Sequence, residues 1–249
     1  MHVEVGPLGV ATITLDSPAN RNALSRALLT DLATALDVAT QPGVRAIVLT
    51  HTEPAFCAGA DLKERSAGPP DSTPMIDAMR RLMTADAPTI AAVKGPVRAG
   101  GIGLMASCDL VVVAASVDFA FTEVRIGVAP AIISVPILRR ASASQLRAAF
   151  LTGERFDAER ARAAGLVTHV APEVGDVDRV VADLCDGILA GAPDAVAATK
   201  RLLRTVPELA MDDAFREMQQ LSEALFQGAD AAEGMAAFLE KRAPRWAVR

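Results

Sequence analysis

Hydrophobic and polar positions alternate with a period of two at the start of the chain. Val3–Val5 and Val10–Leu15 each follow this pattern, and Gly-Pro-Leu-Gly lies between them. Alternation of this kind is typical of strands with one buried face, and a glycine-containing connection of this length joins neighbouring strands. The pattern therefore predicts a hairpin-like pair of strands.

A helical period follows. The apolar side chains of this segment recur on one helical face: Leu28, Leu29, Leu32, Ala35 and Leu36. Ser25 is a suitable N-cap, and Pro42-Gly43 ends the pattern. Further apolar runs predict strands over Val44–Thr50, Thr89–Val93 and Leu110–Ala114, with helices over Met75–Thr84 and Gly100–Ser107 between them. Strands that alternate with helices favour an α/β fold with at least part of the sheet parallel.

Beyond Pro130 the pattern changes to short helices over residues 131–163, with Ser142 or Ser144 as a cap and Gly153 at an end. Val167–Val170 reads as one last strand, and everything from Val177 onward has a helical period. We predict an α/β core over residues 1–190 and a helical region over 191–249. Residues 66–74, rich in serine, proline and glycine, predict a mobile loop.

Composition narrows the class of protein. The chain has 249 residues, of which 51% are hydrophobic and 22% charged, as expected of a globular protein. A net charge of −5 makes nucleic acid an unsuitable partner, because backbone phosphates require a basic face. No run reaches the roughly 18 apolar residues of a membrane span. Cys57, Cys108 and Cys185 lie at no metal-ligand spacing, so we expect a cytoplasmic protein without a metal.

Two glycine-centred turns carry the first chemical signal. Residues 56–61 read Phe-Cys-Ala-Gly-Ala-Asp, and residues 99–103 read Ala-Gly-Gly-Ile-Gly. Each turn follows a predicted strand and begins a helix, where backbone N–H groups lack internal partners. Two such donors aimed at one thioester oxygen would form an oxyanion hole. Each turn alone is equally compatible with a tight connection, or with close helix packing through Gly100 and Gly103.

Glu123 is the second chemical candidate. It lies in the apolar stretch Phe119–Pro130, where loss of hydration would raise its pKa towards that of a useful general base. Arg125, two residues further on, offers the alternative that the two side chains simply form an ion pair.

Taken together, these segments resemble the enoyl-CoA hydratase/isomerase (crotonase) superfamily, in order and spacing, over nearly the whole chain. Pro18-Ala19-Asn20-Arg21-Asn22-Ala23-Leu24 is similar to the family's early Pro-x-x-x-Asn-Ala-Leu segment. Thr152-Gly153-Glu154, Ala164-Gly165-Leu166-Val167 and Phe238-Leu239-Glu240-Lys241-Arg242 are similar to its later landmarks. The resemblance implies a spiral of ββα units with a C-terminal helical trimerisation region, hence a homotrimer or a homohexamer.

The resemblance also implies roles for individual residues. Ala60 and Gly100 would supply the two oxyanion N–H groups for an acyl-CoA thioester, and Glu123 would be the catalytic glutamate. The path of the CoA adenine and pantetheine would be lined by Ala58, Asp61, Leu62 and Lys63. The ADP end would be bordered by Arg21, Ala23 and Leu24. The nucleotide site would be closed by Phe238 and Lys241, from the same or a neighbouring subunit. The alternative for the cationic residues is a solvated surface charge.

The chain departs from the two-glutamate hydratases at one position. Those enzymes carry a second glutamate three residues after the oxyanion glycine, where this chain has Gly103. A single carboxylate is sufficient for the isomerisation of a 3-enoyl thioester. The single-glutamate pattern also occurs in hydratases that resemble this chain around Glu123. Ile132, Ile133 and Val135 predict an aliphatic acyl pocket. We therefore expect a hydratase that needs no cofactor besides its CoA-bound substrate. Isomerase activity and a catalytically weak acyl-CoA-binding protein are the alternatives.

Overall fold

The computed structural model describes residues 1–65 and 71–247. The predicted mobile loop over residues 66–74 therefore lies partly outside the described residues, at positions 66–70. Its last part was predicted wrongly, because Thr73 and Pro74 already belong to a helix. Proline is well tolerated in the first helical turn, where its missing N–H costs no internal hydrogen bond.

Strand and helix alternate through the first half of the chain, as the pattern predicts, and the described residues contain nine strands in two sheets. The strands are β1 (His2–Val5), β2 (Val10–Leu15), β3 (Ala46–His51), β4 (Thr89–Val93), β5 (Val97–Arg98), β6 (Leu110–Ala114), β7 (Asp118–Ala120), β8 (Arg155–Asp157) and β9 (His169–Ala171). The larger sheet has the order β1-β2-β3-β4-β6-β9, and the smaller has the order β5-β7-β8.

Most of the larger sheet is parallel, in agreement with the α/β prediction. β1 pairs antiparallel with β2, which confirms the hairpin-like pair, and every other neighbour in this sheet is parallel. β2 alternates between buried and half-buried positions, whereas β4 is buried throughout. Continuous apolar runs are expected of parallel strands covered on both faces. The carboxyl ends of β3 and β4 lead towards the two glycine turns.

Eleven α-helices occupy the described residues. They are α1 (Arg26–Ala39), α2 (Leu62–Arg65), α3 (Thr73–Thr84), α4 (Gly100–Ala106), α5 (Ala131–Leu138), α6 (Ala143–Thr152), α7 (Ala158–Ala163), α8 (Val177–Leu189), α9 (Pro193–Thr205), α10 (Met211–Phe226) and α11 (Ala229–Glu240). Helix α1 begins as predicted, because the Ser25 hydroxyl accepts a hydrogen bond from the Leu28 N–H at 3.1 Å.

Several predicted boundaries were wrong by a few residues. β3 begins at Ala46 rather than Val44, and α3 begins at Thr73 rather than Met75. The last strand is His169–Ala171 rather than Val167–Val170, because the Val167 N–H donates to the Ala161 carbonyl at 3.3 Å and pairing with β6 begins at His169. Gly153 ends α6 in the left-handed conformation, as predicted.

The C-terminal helices expose large apolar side chains. Met211, Phe215, Phe226, Phe238 and Leu239 are each more than two-thirds exposed in the single chain. The division at residue 190 and a trimerisation role for this region stay predictions. No helix among the described residues is long and apolar enough to cross a membrane.

Candidate active site

The first glycine turn is held by a buried asparagine. Asn22 is fully buried, and its amide nitrogen donates to the carbonyl oxygens of Thr52 at 3.1 Å and Ala55 at 2.8 Å. Its amide oxygen accepts from the Ser17 N–H at 2.6 Å. A buried amide with all these partners fixes the chain on both sides of the turn. No role of Asn22 was predicted from the sequence, although its position as the asparagine of the Pro-x-x-x-Asn-Ala-Leu segment could have indicated a structural one.

Backbone hydrogen bonds then tie this turn to the early segment of the chain. The Leu24 N–H donates to the Gly59 carbonyl at 2.7 Å, and the Ala58 N–H donates to the Arg21 carbonyl at 3.0 Å. Gly59 has a φ of +93°, and a Cβ added there would lie 3.0 Å from the Ala99 Cβ. Gly59 is therefore required both by its backbone conformation and by the close approach of the second turn.

The second turn is pinned in a strained conformation. Ala99 has φ 48° and ψ −119°, a combination that residues other than glycine rarely adopt. Its N–H donates to the Ala120 carbonyl at 3.0 Å, and the Arg98 N–H donates to the Cys57 carbonyl at 2.9 Å. These bonds hold the strained peptide in place and join the two turns. The strain directs the following residue, Gly100, into the start of α4.

The two N–H groups that the resemblance assigns to an oxyanion hole have no acceptor in the described part of the chain. The N–H groups of the residues just before them, Ala58, Gly59, Arg98 and Ala99, are bonded, but those of Ala60 and Gly100 are not. Gly100 is the first residue of α4, where no acceptor exists within the helix. Both residues line one cavity of about 450 Å³. The structure therefore brings both donors to the same space.

Glu123 lines the same cavity. It is half-buried in a 3-10 turn over Thr122–Ile126, and its Oε2 atom is buried without a hydrogen-bond partner in the described residues. Burial raises the pKa of this carboxyl, against a smaller lowering by its own backbone N–H. The ion-pair alternative was wrong, because the Arg125 Nε donates to the Thr152 carbonyl at 3.2 Å instead. A carboxylate that lines a cavity and has one oxygen without a partner is suited to accept a proton.

The remaining cavity wall is mostly apolar. Of the described lining side chains, those with polar atoms are Ser72, Thr122 and Glu123. The apolar wall includes Met75, Ile126, Ile132 and Ile133. Val135 does not line this cavity, and its predicted place in an acyl pocket stays a prediction. Helix periodicity turns it to the other side of α5, into a neighbouring cavity.

The residues expected along the CoA path divide into two groups. Ala58 and Leu62 line the cavity, and Leu62 is 57% exposed at its mouth. Asp61 instead supports the turn: its carboxylate accepts from the Lys63 N–H at 3.0 Å and from the Asn20 amide at 3.3 Å. The Lys63 side chain is exposed.

The residues expected at the ADP end also differ in exposure. Arg21 is exposed and lines an adjoining hollow together with Ala58, Arg98 and Arg155. Ala23 and Leu24 are buried, and a Cβ added at Gly100 would lie 2.7 Å from the Leu24 Cδ1. Leu24 therefore packs against the second glycine turn.

Phe238 and Lys241 lie away from this cavity in the single chain. Phe238 is 84% exposed on α11, and Lys241 follows the helix in the left-handed conformation. Neither is among the lining residues of the Glu123 cavity. Their predicted role at the nucleotide site stays a prediction that requires a neighbouring subunit.

Gly103 is closely packed. A Cβ added there would lie 2.5 Å from Ile133 Cγ2 and 2.7 Å from Met79 Cε, both well inside contact distance. Ile133 and Met79 are themselves buried. A second glutamate at this position therefore cannot be accommodated unless both neighbours move.

We expect Gly103→Ala to lower the free energy of unfolding by about 1–3 kcal/mol, because the added methyl overpacks the core. Gly187→Ala is the matched control: it also lies within a helix, and its added Cβ would meet nothing within 4 Å. That control is expected to raise stability by about 0.5–1 kcal/mol through helix propensity. Urea unfolding measures both, and equal behaviour of the two variants would contradict the packing at Gly103.

Comparisons with known proteins agree with this geometry. Residues 6–249 match the family model described as enoyl-CoA hydratase/isomerase. The chain is 36% identical to a putative enoyl-CoA hydratase of Thermus thermophilus, covering 98% of this chain and 100% of that protein. It is 34% identical to the 2,3-dehydroadipyl-CoA hydratase of Escherichia coli, covering 94% of each.

A solved structure gives the same result for the fold. The enoyl-CoA hydratase of Mycobacterium smegmatis superposes with a TM-score of 0.93 at 32% identity, over 99% of this chain and 98% of that one. The predicted crotonase-like α/β fold is thereby confirmed. With the family model spanning nearly its whole length, the chain belongs to the enoyl-CoA hydratase/isomerase (crotonase) family.

Proposed function

We propose that the protein adds water to the double bond of a 2-enoyl-CoA thioester. The observation that carries this proposal is the single cavity shared by two unbonded N–H groups, of Ala60 and Gly100, and the unpartnered carboxylate of Glu123. The family acts on acyl-CoA thioesters. The two relatives named above as hydratases support the choice of reaction.

The thioester carbonyl oxygen accepts hydrogen bonds from the Ala60 and Gly100 N–H groups. Glu123, as the carboxylate, takes a proton from a water molecule while the water oxygen bonds to C3. The π electrons of the C2–C3 bond move towards the carbonyl, and the resulting enolate oxygen is stabilised by the two donors. Preformed donors of this kind act most strongly where charge develops in the transition state.

The second step returns the proton. Glu123, now a carboxylic acid, donates to C2, the carbonyl re-forms, and the carboxylate is regenerated for the next cycle. One residue thus performs both proton transfers, since Gly103 carries no second carboxylate and its surroundings are filled. Because the same side chain takes the proton from water and then gives it to C2, hydroxyl and proton add to the same face of the double bond.

Isomerisation of a 3-enoyl to a 2-enoyl thioester is the second candidate. The same single carboxylate favours it, because one base can take the C2 proton and return it at C4 while the oxyanion donors hold the dienolate. An acyl-CoA-binding protein of low activity is the candidate from another class. An unpartnered, desolvated carboxylate argues against it, since burying such a group lowers stability without a compensating use.

Binding of the CoA moiety involves Ala58 and Leu62 at the cavity mouth and Arg21 in the adjoining hollow. Phe238 and Lys241 complete the nucleotide site from a neighbouring subunit of a homotrimer or homohexamer. The exposed apolar side chains of α10 and α11 support such an assembly. The cytoplasmic location stays a prediction from composition.

The test is a pair of spectrophotometric assays. Crotonyl-CoA loses the ultraviolet absorbance of its conjugated thioester if water is added, and a 3-enoyl-CoA gains that absorbance if the double bond moves into conjugation. We expect loss with crotonyl-CoA at a rate above that of the isomerisation. A faster gain with the 3-enoyl substrate would favour the isomerase, and no change with either would favour the binding protein.

A further inference from the structure

A second cavity of about 690 Å³ lies beside the Glu123 cavity. It is bounded by α3, by α5 and by the end of α9 with the 3-10 turn over Val206–Glu208 that follows it. Its apolar surface comes from residues such as Ile76, Met83, Val135 and Leu209. None of the residues proposed to act on the thioester lines it.

The two cavities are neighbours on the same pair of helices. Helix α3 lines the first cavity with Met75 and the second with Ile76, Met79, Arg80 and Met83, so the lining of the second begins one residue after that of the first and continues along the helix. Helix α5 lines the first with Ile133 and the second with Arg139, and Ile132 borders both. α4 packs against both helices and forms the floor between them.

The two cavities adjoin at Gly103 of α4. Met79 of the second cavity and Ile133 of the first both lie against this residue, since a Cβ added there would be 2.7 Å from Met79 Cε and 2.5 Å from Ile133 Cγ2. Both side chains are buried, so the cavities are separate in this structure. Methionine is unbranched and adapts its shape readily, so Met79 is the side chain whose rotation would connect them.

The second cavity has a basic lining, formed by exposed side chains. Three arginines line it, Arg80, Arg139 and Arg204, against a single lining carboxylate, Glu208. Arg139 is paired with Glu208 at 2.8 Å. No salt bridge is formed by Arg80 or Arg204 within residues 1–65 and 71–247. Two guanidinium groups bordering an apolar cavity match a carboxylate on an apolar chain.

We propose that this second cavity binds the distal end of the acyl group and that the preferred acyl group ends in a carboxylate. This inference rests on the proposed function, because the thioester end must lie against Ala60, Gly100 and Glu123. The acyl chain passes Ile132 and Met79 between α3 and α5. Its terminal carboxylate is held by Arg80 and Arg204, and its methylene groups cover the apolar walls.

Binding, rather than turnover, tests this inference separately from the proposed function. The dissociation constants of octanedioyl-CoA, the mono-thioester with a free terminal carboxylate, and of octanoyl-CoA are measured by calorimetry. We expect the wild type to bind the dicarboxylic compound more tightly. In Arg204→Gln that preference falls about 10–100-fold, as expected when a charge-assisted hydrogen bond is lost. Arg80→Gln provides an independent second case.

Arg201→Gln is the matched control, since Arg201 is an exposed arginine on the same helix that does not line the cavity. It should keep the wild-type preference. Equal affinity of the wild type for both compounds, or equal losses in Arg204→Gln and Arg201→Gln, would overturn the inference. If the protein hydrates crotonyl-CoA but binds both acyl-CoA compounds equally, the proposed function stands and this inference is wrong. If it prefers octanedioyl-CoA but does not hydrate crotonyl-CoA, this inference stands and the proposed hydratase activity is wrong.

Discussion

Glu123→Gln is expected to lower kcat/KM for hydration by about 10²–10⁴-fold, the usual contribution of a positioned acid–base group. Glutamine has nearly the shape of glutamate, so acyl-CoA affinity should change little. The substitution removes the one carboxylate among the described lining residues of the cavity. Stopped assays with crotonyl-CoA measure the rate, and calorimetry with a saturated acyl-CoA measures the affinity.

The same variant is expected to be at least as stable as the wild type at neutral pH. Burial raises the pKa of Glu123 in the folded protein above its value in the unfolded chain. A raised pKa means that Glu123 contributes most to stability below the unfolded-state pKa and loses that contribution as pH rises through the folded-state value. Above that window the wild type holds a desolvated charge that the glutamine variant lacks.

The pH dependence of catalysis follows from the same shift. Hydration begins with Glu123 as the carboxylate, so kcat/KM should fall as pH decreases through a pKa above the ordinary glutamate range. Glu173→Gln is the control, because Glu173 is exposed and lines neither acyl cavity. It should keep wild-type rate and stability. A Glu123→Gln variant that hydrates crotonyl-CoA at the wild-type rate would remove Glu123 from the mechanism.

Ala60→Pro is expected to lower kcat by about 10²–10³-fold, as measured for loss of one oxyanion donor. Proline lacks the backbone N–H, and no carbonyl in the described chain accepts from the Ala60 N–H. The substitution therefore removes a donor that the folded protein does not itself use. Rates with crotonyl-CoA measure the loss, and circular dichroism with thermal unfolding verifies the fold.

Ala60→Gly is the matched control. It also changes the side chain at position 60 but keeps the N–H, so its kcat should stay within a few-fold of the wild type. If both variants lost activity equally, the side chain or the flexibility of the turn, and not the donor, would explain the loss. If Ala60→Pro stayed folded and fully active, the N–H of Ala60 would have no part in catalysis.

The long elements could be predicted from the sequence because their signals are local. Helix α1 has a cap at Ser25 and a continuous apolar face, and β4 is an uninterrupted buried run, so both follow from pattern alone. The short strands could not be predicted in this way. β5 consists of Val97 and Arg98, and its identity depends on pairing with Phe119 and Ala120, which are distant in sequence.

The candidate site, like the short strands, could be predicted from the sequence only where its signals are local. The glycines of both turns and the apolar surroundings of Glu123 are visible in the sequence, and together with the family resemblance they led to the proposed donors and base. The role of Asn22 was not visible, because it depends on carbonyl groups about thirty residues away. The role of Gly103 was also not visible in the sequence. The space beside this glycine is occupied by the side chains of Ile133 and Met79, so it leaves no room for a carboxylate. Such contacts are properties of packing, not of local pattern.

The most direct test of the account is a crystal structure of the protein with acetoacetyl-CoA, whose thioester resembles the substrate. We predict that the thioester oxygen lies about 2.7–3.1 Å from both the Ala60 and the Gly100 nitrogen atoms. The Glu123 carboxylate should face C2 and C3 of the acyl group. A thioester oxygen bound away from either nitrogen, or an acyl group directed away from Glu123, would contradict the proposed mechanism.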